Sequence, residues 1–94
     1  MTVFVWDEAK RLANLAKHGY DFAHVEADFD WDDAVTAPTY AGSRREARFK
    51  SIGVFEGRLI VVIFAPLGTE AISIISMRPA DSRERRLYEG EEER

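Results

Sequence analysis

The sequence predicts a small α+β fold, with N-terminal helices packed on a mostly antiparallel sheet and a further helix at the C-terminus. Helical spacing dominates the region from Asp7 to Phe29. Three strand-like runs then follow one another between Arg48 and Arg78, separated by turn residues. A polar segment suited to a helix comes after Pro79. With 94 residues, 46% of them hydrophobic, residues 1–90 are expected to be one domain with one core, and 91–94 a frayed acidic tail.

Val3–Trp6 opens as a short strand, and Asp7 is placed to cap the helix that follows. Within Glu8–His18, Ala9, Leu12, Ala13 and Ala16 recur at helical spacing and Leu15 widens the stripe, so this face is expected inside. Gly19 ends the helix, and the basic Lys17-His18 pair suits the negative end of its dipole. Asp21 caps a second helix over 22–29, which turns Phe22, Val25 and Phe29 inward and Glu26 outward. The run Asp28-Phe29-Asp30-Trp31-Asp32-Asp33 ends that helix by crowding like charges. Residues 34–37 follow as a short strand or extended segment stopped by Pro38, and 41–46 form a polar loop.

The central sheet is read over Arg48–Phe55, 58–64 and 71–78, with turns at Glu56-Gly57 and at Pro66-Leu67-Gly68-Thr69. The middle strand is apolar from Leu59 to Phe64, so both of its faces should be covered. Alternation places Arg48 and Lys50 on one face with Ile52 and Val54. On the third strand it groups Ile72, Ile74, Ser76 and Arg78 on one face, and Ser73, Ile75 and Met77 on the other. Pro79 stops that strand. Asp81 or Ser82 caps a last helix reaching about Glu89, docked lightly through Leu87 and Tyr88.

Composition bounds the function. No run of eighteen apolar residues exists, so no membrane span is expected, and Met1–Asp7 has neither the basic start nor the small-residue cleavage site of a signal peptide. There is no cysteine, hence neither a disulfide framework nor a thiolate metal site, and a cytoplasmic protein is expected. The net charge of −4 is uneven: residues 1–43 carry −5, residues 44–88 carry +4 and residues 89–94 carry −3. A basic stretch on an acidic protein fits either a nucleic-acid footprint or an ordinary mixed-charge surface.

No Gly-rich phosphate loop, Walker lysine or nucleophile elbow is present. His18 and His24 do not form a recognisable metal set. The Asp28–Asp33 run lacks the glycine and terminal glutamate of a calcium loop and reads as a solvated turn. Neither metal nor cofactor is expected. Singly, the remaining candidates have plain readings: His18 as a helix-end residue, Arg48 and Lys50 as edge charges, Arg78 as a partner of Glu84. Together they offer a titratable group and several cations without a metal. That set suits RNA cleavage through the ribose 2′-OH, which needs a base, an acid for the leaving 5′-oxygen and positive charge on the phosphorane.

The chain resembles the BrnT toxins over nearly its whole length. The likeness rests on Trp6-Asp7-Glu8-Ala9-Lys10, on Asn14-Leu15-Ala16-Lys17-His18-Gly19-Tyr20-Asp21-Phe22 and on Arg48-Phe49-Lys50-Ser51-Ile52-Gly53. It continues through Gly57-Arg58-Leu59-Ile60-Val61-Val62, Ile74-Ile75-Ser76-Met77-Arg78-Pro79-Ala80, Arg83-Glu84-Arg85 and Tyr88-Glu89. The resemblance implies a RelE-like fold and a metal-independent endoribonuclease that arrests growth. It also implies a BrnA-like ribbon-helix-helix antitoxin, whose complex with the toxin represses their operon by binding operator DNA. Carried onto this sequence, it makes Arg48, Arg78, His18 and Lys50 the candidate catalytic residues. Lys17, Arg44, Arg45, Arg83 and Tyr88 become the candidate RNA contacts. The alternative is an inactive toxin-fold module that only binds an antitoxin or nucleic acid.

Overall fold

A computed structural model describes residues 2–39 and 47–90; Arg44, Arg45 and the tail 91–94 lie outside them. The elements in chain order are β1 (Val3–Trp6), α1 (Glu8–His18), a 3-10 turn (Phe22–His24), α2 (Val25–Asp28), β2 (Val35–Thr39), β3 (Arg48–Phe55), β4 (Arg58–Leu67), β5 (Ala71–Pro79) and α3 (Ser82–Tyr88). The strands form one five-stranded sheet in the order β1-β5-β4-β3-β2. β1 runs parallel to β5, and the other three neighbouring pairs are antiparallel. The architecture is thus mixed α/β, and α1 and α2 lie between β1 and β2 rather than opening the chain.

The apolar middle strand sits at the centre of the sheet, where Ile60, Val61 and Val62 are fully buried. Ile60, Val62 and Phe64 face a core of Tyr20, Phe22, Val25, Phe29, Phe55, Ile74 and Met77. Phe22, Val25 and Phe29 turn inward as their spacing predicts, although the segment is a 3-10 turn followed by one α-helical turn rather than a continuous helix. Gly53 lets Phe29 lie on the sheet, since a Cβ there would meet Phe29 Cζ at 2.8 Å.

Two strands outrun their expected ends. β2 continues through Pro38 to Thr39 because it is the sheet edge, and an edge residue needs no outward N–H. β4 continues through Pro66 to Leu67, past Phe64, its last residue paired with β3, and its turn moves to Gly68.

Strict alternation fails on β5. Ser76 pairs with Ile63 and Ile74 with Phe64, which leaves Ile75 as the extra residue of a β-bulge. Ile72 and Ile74 therefore join Met77 on the core side, while Ser76 and Arg78 take the opposite face. The expected grouping of Ile72 and Ile74 with Arg78 is corrected by that one residue.

The inner face of α1 also differs from expectation. None of its residues is fully buried and Leu12 is 52% exposed; the half-buried set is Arg11, Asn14, Leu15 and His18. The reason lies at the end of β1. Its last partner on β5 is Ile74, so the β1-side edge of β5 beyond that point has no strand beside it. Asn14 of α1 covers the gap, accepting from Met77 N–H at 3.2 Å and donating to the Tyr20 carbonyl at 3.2 Å. An open strand edge calls for a polar partner, so the helix turns a polar stripe inward. Gly19, at φ 78°, ends α1 in the left-handed region.

Candidate active site

The cations singled out in the sequence lie on the sheet face opposite the aromatic core. Val61 pairs with Ile52 on one side and Arg78 on the other, and Ile63 pairs with Lys50 and Ser76. Directly paired residues share a face. Arg48, Lys50, Ser76 and Arg78 therefore project to one side from the two strands flanking β4.

Helix α3 closes over this face. Asp81 caps it through a capping box, accepting from Glu84 N–H at 2.8 Å and donating its own N–H to the Glu84 carboxylate at 3.0 Å. The box fixes Glu84, only 3% exposed, directly above the cations. Arg78 donates from Nη1 and Nη2 to the two carboxylate oxygens at 2.8 and 2.7 Å, and Lys50 Nζ donates to one of them at 3.1 Å. Hydrogen bonds from Arg78 hold the Glu84 carboxyl at about 2 against the opposing pull of burial, with help from Asp81 N–H and Lys50. The same pairing raises Arg78 above its ordinary value.

One carboxylate thus holds two cations side by side, and the three side chains together are net positive, with the Asp81 carboxylate also near Arg78. The side chains of Arg78 and Lys50 remain 35% and 23% exposed. Lys50 spends one of three ammonium donors on Glu84, and Arg78 keeps its Nε–H. Such a pair can meet an anionic oxygen from the solvent side. Arg48 is two residues before Lys50 on the same face, and its Nε is enclosed without a hydrogen-bond partner among the described residues.

Lys17 and His18 line a hollow of about 220 Å³ with Lys10, Ala13, Asn14, Ile75 and Ser76. Arg48 lines a neighbouring hollow of about 240 Å³, together with Lys10, Ser73 and Ile75. His18 also stacks on Tyr20, with ring centroids 6.4 Å apart. No contact among the described residues joins it to Glu84, Lys50 or Arg78. Arg83 is exposed and Tyr88 half-buried on α3. Sequence reasoning gave no site role to Lys10 and only a bland pairing to Glu84. The spacing of Lys10, Asn14 and Lys17 along one helix face, and the capping-box pattern Asp81-x-x-Glu84, were the available signals.

On a separate surface, Asp28, Asp30, Asp32 and Glu56 line an open depression of about 550 Å³. Beside it, His24, Asp28 and Glu56 each bring one ligand atom within 4.8 Å of the others. All three are exposed, and this is the group among the described residues with the donor types to hold a metal ion. It shares no lining residue with the two basic hollows.

No helix among the described residues is long and apolar enough to cross a membrane. The family model described as the ribonuclease toxin BrnT of type II toxin-antitoxin systems matches residues 6–84. A search of curated proteins found no match. Among solved structures, the chain is similar to the Brucella abortus ribonuclease toxin BrnT, determined at 1.1 Å resolution. The identity is 45% and the TM-score 0.69, with 87% of this chain and 100% of that chain covered. A family match over most of the chain and a like-folded relative at this identity agree, and the chain belongs to the BrnT family of type II ribonuclease toxins.

Proposed function

We propose that this toxin cleaves RNA without a metal, by attack of a ribose 2′-oxygen on the adjacent phosphate. The observation that carries the reading is the Glu84 clamp, which holds Arg78 and Lys50 together on a rigid sheet while both stay partly exposed and keep donors that Glu84 does not use. Preorganised cations of this kind stabilise charge that develops on a phosphorane without having to reorganise during the step. Arg48 adds a third positive group on the same face. His18 is the proposed proton-transfer residue, and Lys17, Arg44, Arg45, Arg83 and Tyr88 are the proposed RNA contacts. The fold reading that accompanies this mechanism is RelE-like.

In the cytoplasm such an activity would arrest growth. A ribbon-helix-helix antitoxin of BrnA type is the proposed partner, neutralising the toxin and, with it, repressing their operon at operator DNA.

The burial of Glu84 also favours a second reading, in which the triad only pins α3 to the sheet and the protein is an inactive binding module. Inducing the chain alone and with its neighbouring antitoxin separates the two. Growth arrest relieved by the antitoxin supports the toxin reading, and normal growth at verified folded expression supports the binding module.

A further inference from the structure

We infer that the two hollows beside α1 form one trough that carries the RNA strand to the cation clamp, and that Lys10 binds a phosphate within it. This rests on the RNA-cleaving reading above. The hollows adjoin at Lys10 and Ile75, which line both. Both open to solvent rather than enclosing a volume, so a chain lying across them suits them better than a ligand held inside. Ser76, in one wall, lies on the same sheet face as Arg78, two residues away. The trough therefore leads toward the clamp.

Charge is sorted between these two hollows and the acidic depression, with a mixed hollow lined by His18, Glu56 and Arg58 between them. The trough is lined by Lys10, Lys17, His18 and Arg48 and by no carboxylate. The acidic depression holds Asp28, Asp30, Asp32 and Glu56 and no base. On a chain of net charge −4, such sorting confines attraction for a polyanion to one surface. Helix α1 shows the same sorting residue by residue. Arg11 is committed to Glu8 and Asp21, while the Lys10 and Lys17 side chains make no ion pair among the described residues. Lys10 and Lys17, two turns apart on one face, thus present along the trough ammonium groups that no described residue pairs.

The bulge completes the design. By leaving Ile75 out of the β4–β5 ladder it stands an apolar side chain between the two basic hollows. Phosphates on either side with a ribose or base over Ile75 is an arrangement a nucleotide chain can meet. A single strand is the form expected, since its 2′-oxygen can swing in line with the leaving 5′-oxygen.

The test uses two substrates. A 2′-O-methyl RNA oligonucleotide, which lacks the attacking hydroxyl, reports binding, and the matching ribo-oligonucleotide reports KM and kcat. Lys10→Ala, at an exposed helix position that alanine suits, is compared with wild type and with Arg58→Ala, which removes the same charge outside the trough. Lys10→Ala is expected to weaken binding roughly three- to tenfold and to shrink the slope of log K against log salt by roughly 0.7. KM should rise with kcat within about twofold, and Arg58→Ala should resemble wild type. If RNA is cut but Lys10→Ala binds with wild-type affinity and salt slope, the trough is wrong and the cleavage reading survives. If Lys10 governs binding while wild type cuts no RNA, the trough stands and the cleavage reading falls.

Discussion

Replacing Glu84 with glutamine removes the charge at the centre of the site while keeping its shape. The carboxyl is held at about 2, against an ordinary 4.5, and only 3% of the residue is exposed. That gap corresponds to at most about 3.4 kcal/mol of stability at neutral pH. Glutamine can still accept from Asp81 N–H, but its amide NH₂ points a donor at a cation, so a net loss of about 2 kcal/mol is expected. In a domain of this size that lowers Tm by roughly 8–16 °C. The pH dependence isolates the cause. Because the folded carboxyl lies below its unfolded value, the contribution is full above pH ~5 and is lost as the pH falls toward 2. Wild type and Glu84→Gln should therefore differ most near neutrality and converge at about pH 2–3, in parallel thermal melts. A Tm difference under about 2 °C at pH 7, or one of the same size at pH 3, would refute the clamp.

Three other perturbations follow. Arg78→Ala leaves the buried Glu84 with Lys50 alone, so it should cost about 1–3 kcal/mol by denaturant titration rather than the under 1 kcal/mol of a surface pair. Per folded molecule it should also lower RNA cleavage by roughly 10²–10³; cleavage at the wild-type rate in the folded fraction would make Arg78 structural. Gly53→Ala drives a methyl group to 2.8 Å from Phe29 and should destabilise by about 1–3 kcal/mol; an unchanged urea midpoint would show that Phe29 moves freely. Co-expression of the adjacent antitoxin should restore growth to cells arrested by the toxin, and colony counts on inducing medium measure it.

Much of this molecule was legible wherever a single residue type dictates local geometry. Asp7, Asp21 and Asp81 cap as expected, and Gly19 ends α1. The wholly apolar run after Arg58 is the buried centre of the sheet. What local reading misjudged depends on neighbours that sequence order does not reveal. Pro38 stops a strand only if the strand is internal, and β2 is an edge. Alternation assigns Ile74 correctly only if no bulge intervenes, and Ile75 is the bulged residue. The apolar stripe of α1 lost to Asn14 because β1 ends too early to cover β5. Arg48, Lys50 and Arg78 were recognisable as a set by their strand positions. The pairing of Arg78 with Glu84 lies six residues apart and was readable, but the arrival of Lys50 on the same carboxylate needs a bond spanning 34 residues, which no local pattern encodes. Lys10 went unassigned because an exposed lysine in a first helical turn has no signature until the opposite wall of its groove is known.

The most direct test of the central claim is the chemistry of the cut ends. Purified protein incubated in EDTA with a ribo-oligonucleotide, at matched folded fraction with Lys50→Ala, should release fragments that carry 2′,3′-cyclic phosphate and a 5′-hydroxyl. The Lys50→Ala protein should release them at least tenfold more slowly, at roughly the scale of a lost transition-state donor. Mass spectrometry of the products reads both groups. Cleavage that requires added magnesium, or fragments ending in a 3′-hydroxyl and a 5′-phosphate, would contradict attack by the ribose 2′-oxygen at a cation clamp.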